Sequence, residues 1–158
     1  FTLTQGLKLT AKYQHQFEAG VRRENSISMV PRGFSGSDAE YFIRNISRNH
    51  LKLTADYAIP IWVGDISWLS PVAYIKNFEI TPHFDWTMFS SSKSIADNGL
   101  FSAGASIVAK LANLLWVPFD CSIGITADWN GGPAFNKIKN SGCHIDNHYI
   151  GLVFNIDL

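Results

Sequence analysis

The side chains best suited to chemistry in this sequence fall into two groups. Cys143, His144, Asp146 and His148 crowd one short segment at spacings a metal ion could use. A closed metal site draws a second ligand pair from elsewhere, and none accompanies this one, so the segment reads as a polar loop and no metal is expected. The second group, Glu79, Asp85, Asp120 and Asp128, could supply the acid and base of a hydrolase. Lys8, Lys12, Lys52 and Lys110 recur in the same phase of the sequence, and a mixed charge lining is the simpler reading. Nucleophile elbows, phosphate loops and dinucleotide fingerprints are missing, since Gly33-Phe34-Ser35-Gly36-Ser37 has the wrong order. The expectation is a chain that is not an enzyme and carries no cofactor.

Composition narrows the partners. Thirteen Lys and Arg balance thirteen Asp and Glu, which gives no support to nucleic-acid binding. Apolar residues make up 46% of the 158 residues, yet no run approaches the roughly 20 that a membrane-spanning helix requires. The two cysteines, Cys121 in a strand and Cys143 in a loop, do not suggest a disulfide framework. The chain opens at Phe1 inside a strand pattern, without an initiator methionine or signal peptide, and reads as the C-terminal piece of a longer protein.

The elements that must position these charges alternate with period two. Leu7, Leu9, Ala11 and Tyr13 interleave with Lys8, Thr10 and Lys12; the same pattern recurs in Leu51–Ile61, Phe78–Met88, Phe101–Leu111, Phe119–Trp129 and Ile150–Leu158. Six strands are predicted, near 3–17, 49–62, 77–89, 100–111, 118–130 and 147–158. Alternation alone also suits a soluble sandwich or a lipocalin-like barrel. Three features favour a membrane barrel. Strand charges keep to the less apolar phase, with Lys76 the exception at a strand mouth, where it can snorkel. Long polar connections (18–49, 90–99, 131–146) alternate with shorter or more apolar ones (63–73, 112–117), which would face the periplasm. Finally, Trp62, Trp68 and Trp116 would fall at one rim and Trp86 and Trp129 at the other, at interface depth. The expected fold is all-β: a transmembrane antiparallel β-barrel in the bacterial outer membrane, of which residues 1–158 form the C-terminal portion.

The order of strand, long loop containing Val30-Pro31-Arg32-Gly33-Phe34, then five strands resembles the BamA and TamA superfamily, the bacterial surface antigen family. The resemblance covers essentially the whole chain, as the last six strands of a sixteen-stranded barrel. It implies that loop 18–48 enters the lumen and that Arg32, Gly33 and Phe34 form a tip docked on the inner wall. Leu53-Thr54-Ala55-Asp56-Tyr57 and Phe84-Asp85-Trp86 are similar to the family's acidic strand motifs. Pro31 replaces the usual Val or Ile, and His83 and Thr87 flank the aspartate motif where the family has Phe or Gly and then Gly. Arg32 is accordingly expected to pair with Asp85, with Asp56 or Glu79 as secondary partners, because a planar guanidinium fork suits a carboxylate. Gly151, Phe154, Ile156 and Leu158 resemble the C-terminal insertion signal, with Leu158 where an aromatic is commonest, and residues 147–158 would form one side of a strand seam.

The implied function is insertion or translocation of proteins at the outer membrane. The implied partners are outer-membrane lipid, the remainder of the barrel, assembly-machinery subunits and unfolded β-barrel substrates. The alternatives are a membrane anchor for an upstream periplasmic or surface domain (a propeller or patatin-like domain) and a porin.

Overall fold

The computed structural model describes residues 5–15, 29–35, 37–66, 74–90, 98–112 and 120–157. Six strands, β1 (Gly6–His15), β2 (Asn49–Ile66), β3 (Tyr74–Ser90), β4 (Gly99–Ala112), β5 (Asp120–Gly131) and β6 (His148–Asp157), form one antiparallel sheet in sequence order. The sheet is open, with β1 and β6 at its edges. Leu3, Phe17, Trp68, Trp116, Phe119 and Leu158, which the sequence placed in strands or at rims, lie outside the described residues.

Register shifts in β2 and β3 accompany a correction of the predicted strand limits. β2 runs past the expected end at 62 to Ile66, and β3 begins at Tyr74 rather than 77. Between the pairs Pro60↔Glu79 and Trp62↔Phe78, β2 holds one extra residue, Ile61. Such a bulge reverses the side-chain phase, so Trp62 joins the apolar face and its ring lies 6.0 Å from that of Phe78. Pro60, which cannot donate to the ladder, sits beside the bulge. A second shift, between Ile75↔Leu111 and Asn77↔Lys110, makes Lys76 the extra residue. Lys76 does not need to snorkel on the apolar face: its Nζ reaches both Asp120 oxygens at 2.8 and 2.9 Å.

Loops 18–48 and 131–146 are not irregular throughout, as the sequence reading had them. The first contains a 3-10 turn at Arg32–Phe34 and helix α1 (Asp38–Ile46); the second contains helix α2 (Phe135–Asn140). Asp38 and Glu40 occupy the first turn of α1, where carboxylates suit the helix dipole, and Ala39, Phe42 and Ile43 fall on one stripe. That stripe meets Phe34 and Val30 from the same loop, Phe135, Ile138 and Ile145 from the β5–β6 insertion, and Phe89 and Leu100 from the sheet. Phe89 and Leu100 belong to the polar phase of β3 and β4, at the strand ends where that phase turns apolar. The apolar core therefore lies above the polar face, at one end of the sheet.

The two faces are inverted relative to a soluble sheet. Leu9 is 71% exposed, Ile125 54% and Leu152 86%, whereas Asp85 and Ser102 in the alternate phase are wholly covered. On the exposed face Trp86, Phe84, Phe101 and Trp129 form a continuous aromatic row, each ring centroid 6.0–6.2 Å from the next.

Candidate functional site

Two rows of polar-phase residues cross the sheet. Thr54, Asp85, Ser102 and Asn130 stand opposite one another on β2 to β5, and one step along are Asp56, His83, Gly104 and Asp128. The Arg32–Phe34 turn lies over them.

Asp85 receives the turn. One of its oxygens accepts hydrogen bonds from the Arg32 backbone N–H at 2.9 Å and from Nε at 3.1 Å; the other accepts from Nη2 at 2.8 Å. Arg32 Nη2 also donates to Asp56 in the second row. Burial on its own would lower the guanidinium's pKa, but the hydrogen bonds to Asp85 and Asp56 outweigh it and keep the charge in place. Lys52, with Nζ 3.6 Å from Asp85, donates to the Val30 carbonyl at 2.6 Å, and Thr87 Oγ1 donates to the Met29 carbonyl at 2.6 Å. A fully covered carboxylate is thus matched by a fork, an ammonium and a backbone N–H, as a buried charge requires.

Gly33 lies against Asn130, whose Nδ2 donates to the Gly33 carbonyl at 2.9 Å, and Phe34 is almost fully buried with its ring 6.1 Å from that of Phe135. Phe34 therefore joins the apolar cluster formed by the insertion and by Phe89 and Leu100 at the strand ends of the polar face. Glu79 does not meet Arg32: it sits farther along β3 and accepts from Lys110 Nζ at 2.9 Å. On the edge strand β6, Phe154 and Ile156 point to the exposed face, and the Tyr149 ring folds over Gly151.

The second row holds a buried pair that sequence reasoning missed. His83 Nε2 lies 2.6 Å from Asp128 Oδ1, while Nδ1 faces the Thr81 carbonyl at 3.2 Å. Gly104 stands between them in register, and a β-carbon there would lie 2.6 Å from Asp128 Oδ1, so its missing side chain leaves the gap the two groups cross. Ser102 and Thr126 hydroxyls also donate to Asp128, both at 3.1 Å. This order differs from a nucleophile triad, in which the hydroxyl donates to the imidazole. In the sequence His83 figures as a polar-phase residue and as a flank of the aspartate motif; its register with Asp128 across Gly104 is set by the sheet.

No family model, curated protein or solved structure matches the chain. Its function therefore rests on the geometry. Among the described residues no three His, Cys, Asp or Glu side chains converge as metal ligands, and in the β5–β6 insertion His144 Nδ1 lies 4.0 Å from Asp146. Polar pairs continue along this face, from the Arg32–Asp85 ion pair through the hydrogen-bonded His83 and Asp128 to the Lys110–Glu79 and Lys76–Asp120 ion pairs. Such a surface balances its own charge and holds a folded-in loop by hydrogen bonds.

Proposed function

We propose that this chain is the C-terminal portion of a plugged outer-membrane β-barrel of the BamA type, which inserts or translocates proteins at that membrane. The observation that carries this reading is the inverted sheet: apolar side chains exposed across all six strands, and buried charges beneath a docked loop. Monomeric soluble proteins rarely expose contiguous apolar patches beyond a few hundred Å², and a lipid-facing barrel wall is the setting in which this polarity is stable. The aromatic row supports an interface at one rim. The Arg32 turn on the polar face supports a plugged lumen over an open porin.

In this reading the remainder of the barrel pairs with the edge of β1, and the edge of β6 forms a seam. Free backbone donors and acceptors along β6 would template an incoming β-strand, as in strand addition generally. No bond chemistry is required of the chain. Its partners would be outer-membrane lipid, unfolded β-barrel substrates and assembly-machinery subunits. An anchor barrel for an upstream propeller or patatin-like domain would share the sheet but not the use of the seam.

The test is photo-crosslinking from Gly151, Val153 and Asn155 along β6 while the cell synthesises a β-barrel client. Adducts with the client at alternate positions are expected. A protein correctly embedded in the outer membrane that gives no client adduct at any of the three would refute the assembly role in favour of an anchor.

A further inference from the structure

The Arg32–Phe34 turn is gripped from two directions. From the sheet, Asp85 holds its first residue through the backbone N–H at 2.9 Å and the guanidinium at 2.8 Å. On β5, at the foot of the β5–β6 insertion, Asn130 Nδ2 donates both to the Gly33 carbonyl at 2.9 Å and to the Asp146 carbonyl at 3.2 Å, so one buried amide touches turn and insertion together. Phe34 packs on Phe135, and the His144 N–H donates to Asp38 Oδ2 at 3.2 Å at the start of α1. The insertion is fastened to the sheet in turn: the Ala134 N–H donates to the Gly99 carbonyl at 3.0 Å and the Asn130 N–H to the Asn147 carbonyl at 2.7 Å.

We infer that the β5–β6 insertion is a latch on the Arg32 turn, that Phe135 is its positioning residue, and that turn and insertion leave the polar face as one unit, parting from Asp85 and Asn130 of the sheet. If the turn lifted alone, the faces of Phe135 and Ile138 would be bared to water, whereas in joint release Phe34 and Ile43 stay packed on them. Bared apolar surface finds no compensation in water, whereas the polar contacts to the sheet exchange with water, so joint release is the easier path. Local opening in proteins proceeds by such contiguous units. The inference rests on packing alone and holds whether or not the apolar face meets lipid.

Cys143 packs at the edge of the apolar cluster and reports on the insertion. The experiment follows two rates in the intact protein carrying Cys121→Ala: maleimide labelling of Cys143, and trypsin cleavage after Arg32, identified by mass. Asp85→Asn acts on the turn and on Lys52, and on no residue of the insertion. It should raise both rates about tenfold, the effect of weakening a charge-assisted hydrogen-bond set. Phe135→Ala, at the other end of the latch, should likewise raise cleavage after Arg32, and Phe135→Leu should restore protection with cleavage in the strands unchanged. Faster cleavage in Asp85→Asn with wild-type labelling of Cys143 would overturn the latch, as would no change in either rate or a Phe135→Leu protein as open as Phe135→Ala.

Discussion

Gly33→Ala tests the docking of the turn most sharply, because the structure states what the added methyl would strike. A β-carbon on Gly33 would lie 2.0 Å from Asn130 Oδ1 and 2.8 Å from both Asn130 Cγ and Ser102 Oγ. Asn130 Oδ1 is buried and accepts no hydrogen bond from the described residues. Two relaxations are open. Asn130 can rotate away, giving up its bonds to the Gly33 and Asp146 carbonyls. Each is worth about 0.5–1.5 kcal/mol, and each carbonyl left dry adds about 1–3 kcal/mol. Otherwise the turn lifts by about 1 Å, which takes the Arg32 bonds to Asp85 out of hydrogen-bonding range. Against this, alanine restricts the unfolded chain and returns about 0.4–1 kcal/mol. The lower ends of these ranges give a net loss of about 2 kcal/mol in docking the turn, or about a 30-fold larger opening constant, and the upper ends give more. Trypsin cleavage after Arg32 measures that constant when reclosing outruns cleavage. Gly6→Ala is the control, since a β-carbon there meets nothing within 4 Å. A Gly33→Ala protein cleaved no faster than Gly6→Ala would refute the close approach and the docking argument with it.

Arg32→Ala and Asp85→Asn should each loosen the turn, and in a double-mutant cycle read by proteolysis nearby in the loop the two losses should fall short of adding by about 1–3 kcal/mol. Strict additivity would mean that Lys52 and Asp56, not this pair, hold the turn. If the exposed face meets lipid near the midplane, Ile123→Arg should destabilise the protein by about 2–4 kcal/mol in refolding into bilayers, and Ser122→Arg much less. Equal losses at the two neighbours would refute the assignment of faces.

The strands were legible because period two is a local property: in β5, Cys121, Ile123, Ile125, Ala127 and Trp129 keep one phase whatever surrounds them. The expectation that Arg32 docks on the sheet came from the family resemblance; the chemistry of the fork limited its partners to polar-phase carboxylates but did not choose between Asp56, which it meets, and Glu79, which pairs with Lys110. The two helices were not. α1 has nine residues and α2 six, lengths that do not hold in water alone, and both depend on packing that joins loops about a hundred residues apart. A Ser37 to Glu40 spacing before Phe42 and Ile43 was a helix-start signal in α1, although the Ser37 hydroxyl donates to the Phe34 carbonyl and does not cap the helix. The bulges at Ile61 and Lys76 were hidden for a different reason. Each is set by the partner strand's register, which the sequence of one strand does not contain.

The kind of contact that holds the loop bears on how readily it can leave. Where the turn meets the sheet, its partners are carboxylates, a lysine, hydroxyls and an amide, groups that water can serve once the interface opens. Exchange of such bonds with water carries a small net free energy each, so a plug made of them can be specific in position and modest in total stability. Had the same loop been docked on an apolar wall, release would bare hydrophobic surface at about 25 cal/mol per Å² with no compensation. The apolar contacts that do exist lie mainly between loop and insertion, Phe34 and Ile43 against Phe135, Ile138 and Ile145, with only Phe89 and Leu100 contributed by the strands. They can stay closed while the polar contacts below them break. Separation along that boundary keeps most of the small core intact, which is why an opening event that begins at Asp85 should carry α2 with it.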